Sequence, residues 1–278
     1  MVYNIEFFLN QFKLNEQNKY LRKKNMKFNL DLDYYIDTDK PLDISIPLVA
    51  GTDNLRAWYV DPPKMTPVME HGFNGSVEGG GAVNFRNIFF NPHGHGTHTE
   101  CLGHITKEIF SINKTMRTFF SKAQLITIEP IEIINTEYKE KDHVITLEQL
   151  EMISFEEGIE SLIIRTKPNS LEKTHKNYSA TNPPYLSIEC IELIESLKIK
   201  HLLIDLPSVD RESDGGKLVF HHAFWGVPDN PNYERTITEL IYIEDTIKDG
   251  VYILDLQVAP FENDASPSRP VLYERLKS

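Results

Sequence analysis

The sequence is poor in cysteine, in uninterrupted apolar runs and in clustered positive charge, and each shortage excludes a class of protein. Cys101 and Cys190 are the two cysteines among 278 residues, which is too few for a disulfide framework. No stretch approaches the ~20 consecutive apolar residues that a membrane-spanning helix needs. The 29 Lys and Arg against 41 Asp and Glu give a formal net charge of -12, which disfavours binding to nucleic acid.

The beginning of the chain lacks the pattern of a secretory signal. Its positive charges come late, between residues 19 and 27, whereas a signal peptide carries them before an apolar run. We therefore predict a cytoplasmic protein. Residues 1–25 are polar and rich in Asn and Lys, and we interpret them as an N-terminal extension, either a helical arm or an over-long start. Residues 26–278 are predicted to form a single domain, because no obvious linker divides them.

Beyond residue 40 the pattern is typical of an α/β globular protein. Apolar residues make up 40% of the chain and charged residues 25%. Short apolar runs rich in β-branched residues predict strands at 43–49, 87–91, 124–129, 161–165, 201–205, 239–243 and 251–256. Thr146 and Gln149 have the spacing of a capping box, which predicts a helix start. Ser187 is predicted to cap another helix, whose buried stripe is Ile188, Ile191, Ile194 and Leu197.

Histidine is concentrated at two places in the chain. Four of the ten histidines lie in the segment 92–104, which reads PHGHGTHTECLGH, and His221 and His222 are adjacent. Imidazole is the commonest metal ligand in proteins, and a carboxylate two residues away can share the same ion. The glycines let the backbone fold tightly and oppose a helix. We therefore predict a metal centre at the end of the strand 87–91, in preference to a polar loop with incidental histidines.

The same segment carries a family resemblance. Residues 96–104, GTHTECLGH, resemble the metal-binding signature H-x-G-T-H-x-D-x-P-x-H of the cyclase family, which includes bacterial kynurenine formamidases. Further matches follow in the family order: DISIPL at 43–48, IIRT at 163–166, IDLPSVD at 204–210, His221, ITEL at 237–240 and SPSRP at 266–270. The resemblance covers about residues 40–275.

The resemblance implies a set of site residues. The metal ligands fall on His98, Glu100, His221 and Glu239, and His104 stands at the position of the acid/base histidine. The family's first histidine falls on Gly94, so that His93 or His95 must replace it, and we favour His93.

Two further departures lie in the same signature. The family aspartate is Glu100, one methylene longer, and Leu102 replaces the family proline. Cys101 is interpreted as an apolar filler or, less in keeping with the habits of free cysteine, as a thiolate beside the metal.

The resemblance also implies a fold, a cofactor and a reaction. The expected fold is α/β, of the swivelling β/β/α type, with a mixed sheet and flanking helices, assembled as a homodimer or larger homo-oligomer. The expected cofactor is a divalent ion, Zn²⁺ or Mn²⁺, both of which suit nitrogen and oxygen ligands. Such an ion makes hydroxide available at neutral pH, and His104 passes the proton to the leaving nitrogen. The small-molecule substrate is expected to be N-formylkynurenine or another aryl formamide.

Several alternatives stay open at this point. One alternative function is a hydrolase of a different cyclic amide, imide or lactone, and another is a non-catalytic metal-binding relative. Two roles are open for the aromatic residues Trp58, Tyr59 and Trp225, which are to line a substrate pocket or to belong to the core. Two roles are likewise open for the segment 226–234, a lid over the pocket or a solvent-exposed surface loop. The turn with Asp205, Asp210 and Arg211 is interpreted as structural.

Overall fold

The computed structural model describes residues 26–30 and 33–277, so that the predicted extension 1–25 lies outside the described residues. Its strands are β1 (Lys27–Asn29), β2 (Tyr34–Asp37), β3 (Leu42–Asp43), β4 (Lys64–Pro67), β5 (Arg86–Phe89), β6 (His98–Glu100), β7 (Phe120–Ile128), β8 (Ile131–Asn135), β9 (Glu140–Ile145), β10 (Ser161–Thr166), β11 (Tyr185–Leu186), β12 (His201–Ile204), β13 (Thr236–Glu239), β14 (Gly250–Val258), β15 (Ala265–Glu274) and β16 (Leu276–Lys277). Its α-helices are α1 (Pro92–His95), α2 (Ile112–Thr115), α3 (Leu147–Glu151), α4 (Cys190–Ser196) and α5 (Val219–Trp225).

The largest sheet closes on itself. Its strand order is β14-β7-β10-β12-β13-β6-β15-β3, and β14 also pairs with β15, so that seven strands form a barrel that β3 extends. Three neighbouring pairs are parallel, namely β7 with β10, β10 with β12 and β12 with β13. Pairs that involve β6, β14 or β15 are antiparallel. This mixed sheet confirms the α/β prediction, and its closure into a barrel is a feature that the strand pattern did not reveal.

The barrel has an apolar interior and an apolar outer face, because side chains alternate along each strand. Ile163 and Leu203 lie in the cluster that fills the interior. Ile164 and Ile204, their chain neighbours, lie in the cluster that packs beneath the helices α3, α4 and α5 on the outside. Burial on both faces explains why these strands read as nearly continuous apolar runs. The outer cluster also receives Trp225 of α5, and this face carries the site described below.

Most predicted elements are confirmed, and the capping box is one of them. Helix α3 begins after Thr146, whose backbone N–H donates to Gln149 Oε1 at 3.1 Å. The strand predicted at 87–91 is β5, which pairs with β4 in a hairpin that stands outside the barrel. Two further three-stranded sheets, β1-β2-β16 and β11-β9-β8, flank the barrel. Among the described residues no helix is long and apolar enough to cross a membrane.

Three predicted elements have different limits, and local backbone geometry explains each. The strand predicted at 43–49 pairs regularly only at its start, because Ile46 N–H donates to the Thr97 side chain instead of a strand partner. The strand predicted at 239–243 in fact ends at Glu239, since Leu240 has a φ of 56° that turns the chain. Helix α4 begins only at Cys190, whose N–H donates to Ser187 O in a tight turn, so Ile188 lies outside it.

Candidate metal centre

The strands β6 and β13 deliver three of the predicted ligands to the outer face of the barrel. His98 and Glu100 are two residues apart on β6 and therefore point to the same side. Glu239 lies opposite His98 in the antiparallel register, and Ile237 lies opposite Glu100. The alternate residues Thr99 and Thr238 hydrogen-bond to each other at 2.8 Å on the other face.

Helix α5 covers these strands and carries a fourth predicted ligand. His221 is buried on α5, with its ring 5.4 Å from that of Trp225 one turn later. His222 lies on the same helix with its Nδ1 3.2 Å from Val227 O. The two adjacent histidines lie on a helix, and helix geometry turns His221 inward.

The histidine-glycine segment is one helical turn, although its glycines were expected to oppose a helix. Pro92 occupies the first turn of α1, and the Asn91 side chain accepts a hydrogen bond from Gly94 N–H at 3.1 Å. His93 and His95 consequently point in different directions. His95 is buried, with its ring nitrogens 2.8 Å from Asn91 N and 2.7 Å from Asp61 O, whereas His93 Nδ1 lies 3.0 Å from Glu100 Oε2.

Gly94, which stands where the family has its first histidine, is closely packed. A Cβ at this position would lie 2.8 Å from Val60 Cγ2 and 3.1 Å from Ala57 O. A side chain would therefore displace the neighbouring loop. The structure places His93, one residue earlier, beside Glu100.

The predicted ligands converge around two buried carboxylates. His93 Nδ1 lies 3.0 Å from Glu100 Oε2, and His221 Nε2 lies 3.1 Å from Glu100 Oε1. His98 Nε2 lies 3.5 Å from Glu239 Oε2, and His221 Nε2 lies 3.9 Å from Glu239 Oε1. His98, Glu100 and Glu239 offer ligand atoms that all lie within 4.8 Å of one another, and so do His93, Glu100 and His104. We call His93, His98, Glu100, His221 and Glu239 the metal cluster.

Each imidazole of the metal cluster has a hydrogen-bond acceptor on its far side. His93 Nε2 lies 2.9 Å from Asp264 Oδ2, His98 Nδ1 lies 3.0 Å from Gly96 O, and His221 Nδ1 lies 2.6 Å from Asp210 Oδ2. These acceptors take the outer N–H of each ring, so that the inner nitrogen faces Glu100 or Glu239. Metal-binding histidines show this arrangement, in which an outer carboxylate or carbonyl fixes the ring.

Two atoms of the metal cluster are left without a partner. His98 Nε2 and Glu239 Oε1 are buried and have no hydrogen bond among the described residues. A buried polar atom without a partner is costly, so such an atom in a native protein requires an explanation. A divalent cation between nitrogen and oxygen donors satisfies both atoms, and the donor set therefore fits a metal ion.

The pKa values reflect the close approach of buried imidazoles and carboxylates. Burial lowers the pKa of His93 and of His221, but adjacent carboxylates outweigh it and raise each pKa to about 10. Burial raises the pKa of Glu239, and repulsion from Glu100 raises it further. Burial also opposes ionisation of Glu100, yet the surrounding histidines hold its pKa well below the usual range. Without a metal, protons on the imidazoles balance the charge of the carboxylates.

His104 lies on the solvent side of the metal cluster. It is 30% exposed, its Nδ1 lies 3.3 Å from Asp264 Oδ2 and 3.9 Å from Glu100 Oε2, and its ring is 4.3 Å from that of His93. A short 3-10 turn, Leu102–His104, carries it, and Gly103 there packs directly against the Phe110 backbone. His104 is thus next to the predicted ligands and open to solvent, as an acid/base residue requires.

Two carboxylates of the site were not predicted as site residues. Asp264 contacts His93 and His104, and these imidazoles hold its pKa below the usual range. Asp210, expected only to stabilise a turn, accepts from the His221 ring and from the backbone N–H groups of Phe220 and His221. Asp210 is the last residue of the quoted motif IDLPSVD, and Asp264 lies two residues before SPSRP, and these positions were the only signal that they carried.

The remaining candidates lie around the metal cluster or away from it. Trp225, for which a substrate pocket and the core were both left open, is fully buried, and its Nε1 donates to Arg235 O at 3.0 Å. Trp58 is half-buried beside Leu240, and Tyr59 is exposed with its hydroxyl 3.2 Å from Glu212 Oε1. A role for these two in substrate binding stays a prediction. Cys101 is buried in the barrel interior as an apolar filler, and burial raises its pKa.

Comparison with known proteins agrees with the fold and with the signature. No curated protein sequence matches the chain at a significant level. A "potential metal-dependent hydrolase with cyclase activity" is 16% identical, with a TM-score of 0.60 over 85% of this chain and 98% of that one. A "predicted metal-dependent hydrolase" from Bacillus stearothermophilus is 16% identical, with a TM-score of 0.56 over 84% and 98% of the two chains. Isatin hydrolase A from Labrenzia aggregata, bound to benzyl benzoate, is 14% identical, with a TM-score of 0.57 over 94% and 98%.

The family comparison covers more than half of the sequence. Residues 42–211 match the family model described as "Putative cyclase". The matched range contains His93, His98, Glu100 and His104, and the fold brings His221 and Glu239 to them from beyond it. The chain belongs to the cyclase family.

Proposed function

We propose that the chain is a metal-dependent hydrolase that cleaves an amide bond of a small aromatic substrate. The observation that carries this proposal is the arrangement of His93, His98 and His221. An acceptor fixes the outer nitrogen of each ring, and the inner nitrogen faces a buried carboxylate. Burying imidazoles and carboxylates together is costly and leaves His98 Nε2 and Glu239 Oε1 without a partner, and a bound cation would offset that cost.

The metal cluster is the proposed binding site for Zn²⁺ or Mn²⁺. Its three imidazole nitrogens and two carboxylates are ligand types that both ions accept. When bound, a divalent ion acidifies a water molecule and polarises a carbonyl oxygen. The protein contributes the orientation of the ligands through Asp210, Asp264 and Gly96 O, and it excludes water from the inner side through the apolar packing beneath α5.

His104 is the proposed general acid/base. Its ring is partly exposed and lies against His93 at the open side of the metal cluster, where a substrate can approach. In this position it can accept a proton from the attacking water and return that proton to the leaving nitrogen. His104 lies 3.9 Å from Glu100, farther than His93 and His221 do, which favours a proton-transfer role over a ligand role.

Two substrate classes follow from two observations. The signature at 96–104 resembles that of kynurenine formamidases, which favours an aryl formamide that yields formate and an aryl amine. The structural likeness to isatin hydrolase A over 94% of this chain favours a cyclic amide that opens to an amino acid anion. Glu100 and Gly94 depart from the formamidase signature, and they support the second class.

The first experiment measures the metal content of protein purified without added metal. We expect one or two ions per chain in the wild type and a loss of at least ten-fold in His98→Ala, with His143→Ala, a change of an exposed histidine, as the matched control. If the wild type and the control bind no Zn²⁺ or Mn²⁺ even after incubation, the metal-dependent hydrolase is wrong.

The second experiment tests hydrolysis by the metal-loaded protein. Aryl formamides and isatin-like cyclic amides are assayed side by side, with imides and lactones as further classes. Turnover that disappears in His104→Ala while the metal content is retained supports the proposed role of His104. A loaded wild type that binds these compounds without turnover would identify a non-catalytic metal-binding member of the family.

We also propose that the chain assembles as a homodimer or larger homo-oligomer. The hairpin of β4 and β5 and its connecting loop expose large apolar side chains, namely Met69, Phe73, Val77, Val83, Phe85, Ile88 and Phe89. Several exposed large apolar side chains on one hairpin support an interface there. Light scattering after size exclusion should give at least twice the 32.1 kDa of one chain, and Phe85→Ser with Phe89→Ser should shift it toward the monomer.

A further inference from the structure

We propose that Asp264 is a positioning residue that fixes His104 in the tautomer with hydrogen on Nδ1, so that Nε2 is the nitrogen that exchanges protons. This inference deepens the proposed function and rests on it for the role of His104. Asp264 belongs to no motif that pointed to the site, and the fold brings it there from a position 160 residues away from His104 in the chain.

The geometry assigns the hydrogen of His104 to the nitrogen that faces Asp264. His104 Nδ1 lies 3.3 Å from Asp264 Oδ2, within hydrogen-bond distance, and 3.9 Å from Glu100 Oε2, beyond it. A carboxylate only accepts hydrogen bonds, so the contact requires Nδ1 to donate. The lone pair of a neutral ring then lies on Nε2, and a general base must present a lone pair to its substrate.

Asp264 also couples His104 to the metal cluster. The same oxygen, Oδ2, lies 2.9 Å from His93 Nε2, so that one carboxylate accepts from both rings. The His93 and His104 rings lie 4.3 Å apart at an interplanar angle of 31°, an arrangement that the shared acceptor maintains. Because one atom sets both orientations, His104 is held at a defined position relative to His93.

The backbone around Asp264 is held firmly enough for this task. Asp264 O accepts from Cys101 N–H at 3.1 Å, and the preceding Asn263 O accepts from Ile112 N–H at 2.8 Å. The next residue, Ala265, begins β15 opposite Glu100. The carboxylate is therefore fixed to the strand that carries Glu100, and a site supported by regular structure holds its geometry better than one on a free loop.

The tautomer of His104 can be measured without any activity. In protein labelled with ¹⁵N-histidine, long-range ¹H–¹⁵N spectra distinguish the Nδ1–H form from the Nε2–H form, and His104→Gln identifies the signal. We expect Nδ1–H in the wild type, in Asp264→Glu and in Glu262→Gln. We expect a mixed or Nε2–H ring in Asp264→Asn, because its amide can donate to Nδ1. An unchanged His104 signal in Asp264→Asn would overturn the proposal.

The kinetic test uses the metal-loaded enzyme and a matched control from the same loop. Asp264→Asn should lower kcat by about 10- to 100-fold, the usual effect of an outer carboxylate on an imidazole, with KM changed less than two-fold. Glu262→Gln removes an exposed carboxylate two residues away that pairs with Lys114, and it should keep kcat within two-fold. Metal content must remain that of the wild type. Loss of the metal together with kcat would instead make Asp264 a support of His93 and would overturn the role at His104.

Rescue by a small carboxylate separates positioning from structural damage. Asp264 is 23% exposed, so acetate can reach the space that Asp264→Ala leaves. Acetate should raise the kcat of Asp264→Ala at least ten-fold and leave the kcat of His104→Ala unchanged. An absence of rescue together with a wild-type tautomer in Asp264→Ala contradicts the proposal. If the wild type hydrolyses none of the compounds, the proposed function fails, and the spectra alone decide the tautomer.

Discussion

Two buried charged clusters of this protein lie at strand ends on the same barrel, and they differ in whether their hydrogen bonds are complete. Asp205, which follows β12, accepts from Thr166 N–H at 2.8 Å, from Thr166 Oγ1 at 2.9 Å and from Lys173 Nζ at 2.8 Å. Lys173 donates in addition to Thr166 O at 2.7 Å. We call Asp205, Lys173 and Thr166 the closed ion pair. The metal cluster, by contrast, retains buried atoms with no partner among the described residues, His98 Nε2 and Glu239 Oε1.

The difference distinguishes a structural cluster from a candidate binding site. In the closed ion pair the positive charge belongs to the protein, and its hydrogen bonds counter part of the desolvation, although burial still raises the pKa of Asp205. Among the described residues, histidines and no lysine or arginine face the carboxylates of the metal cluster, and His98 Nε2 and Glu239 Oε1 have no hydrogen bond. Burial of charge alone does not indicate function. Buried polar atoms without a partner beside buried charges are a stronger indication of it.

The largest effect on stability is expected when the closed ion pair is broken. Lys173→Met leaves Asp205 buried and uncompensated, which should lower the free energy of unfolding by about 3–5 kcal/mol. Urea denaturation, with and without metal, measures the change. The double variant Lys173→Met with Asp205→Leu is the control, and it should recover part of the loss. Equal stability of the single variant and the wild type would contradict the structural role.

Removal of the metal should have a comparable effect, but only through the metal cluster. At a free metal concentration ~1,000 times Kd, binding stabilises the folded state by about 4 kcal/mol. For a chain of this size, that corresponds to a rise in Tm of about 8 °C or more. A chelator should remove this stabilisation in the wild type and have little effect on Glu239→Gln, which lacks one carboxylate ligand. A chelator effect of the same size in both proteins would place the ion elsewhere.

The comparison can be sharpened with a buried imidazole whose hydrogen bond goes to a hydroxyl and not to a carboxylate. His201 Nδ1 lies 2.9 Å from Thr236 Oγ1, and burial lowers the pKa of His201 to about 4, opposite to the direction in His221. The unfolded chain binds a proton near pH 6.5, so His201 contributes stability above that pH, which is lost as pH falls toward 4.

This pH dependence is measurable by denaturation of the metal-free protein. We expect a loss of about 2 kcal/mol between pH 6.5 and pH 4 that is attributable to His201. His201→Gln keeps a polar side chain that does not titrate, and it should flatten this part of the profile relative to the wild type. Identical slopes in the two proteins would show that His201 has an ordinary pKa.

The smallest effect is expected from a change in the backbone beneath the metal cluster. Gly94→Ala brings a Cβ to 2.8 Å from Val60 Cγ2, and the overpacking should lower the free energy of unfolding by about 1 kcal/mol. In a Val60→Ala background, Gly94→Ala should lower the free energy of unfolding by less than it does in the wild type. A double-variant cycle measures this coupling. Additive effects of the two changes would exclude the contact as the reason for glycine at this position.

The sequence predicted the strands of the barrel better than their closure. Runs such as 161–165 and 201–205 are apolar on both faces, and this property is local, so it was readable in advance. The pairing of β14 with β15 that closes the barrel depends on register and twist across the whole sheet, which no local pattern contains. The ends of elements were decided by single residues, as where the positive φ of Leu240 ends β13 at Glu239.

The candidate site was predictable where ligands lie close together in a signature. His98 and Glu100 are two residues apart, a spacing at which a carboxylate can share an ion with a histidine, although the strand that carries them was not predicted. The choice between His93 and His95 required the helical turn of α1, because the turn directs the two rings to different neighbours. Asp264 and Asp210 were not predicted, since a single aspartate beside a turn carries no sign of what it will contact in the fold.

By itself the sequence determined the chemistry available to this protein: the clustered histidines, the carboxylates at Glu100 and Glu239, and the family to which these residues belong. Residue type and spacing along the chain are enough to predict this chemistry, because they determine which ligand groups exist and which of them are near neighbours in the sequence. The tertiary structure alone decided which donors meet. His221, Glu239 and Asp264 reach the 93–104 segment only because barrel closure and the packing of α5 bring distant strands together, and long-range pairing of this kind leaves no local trace.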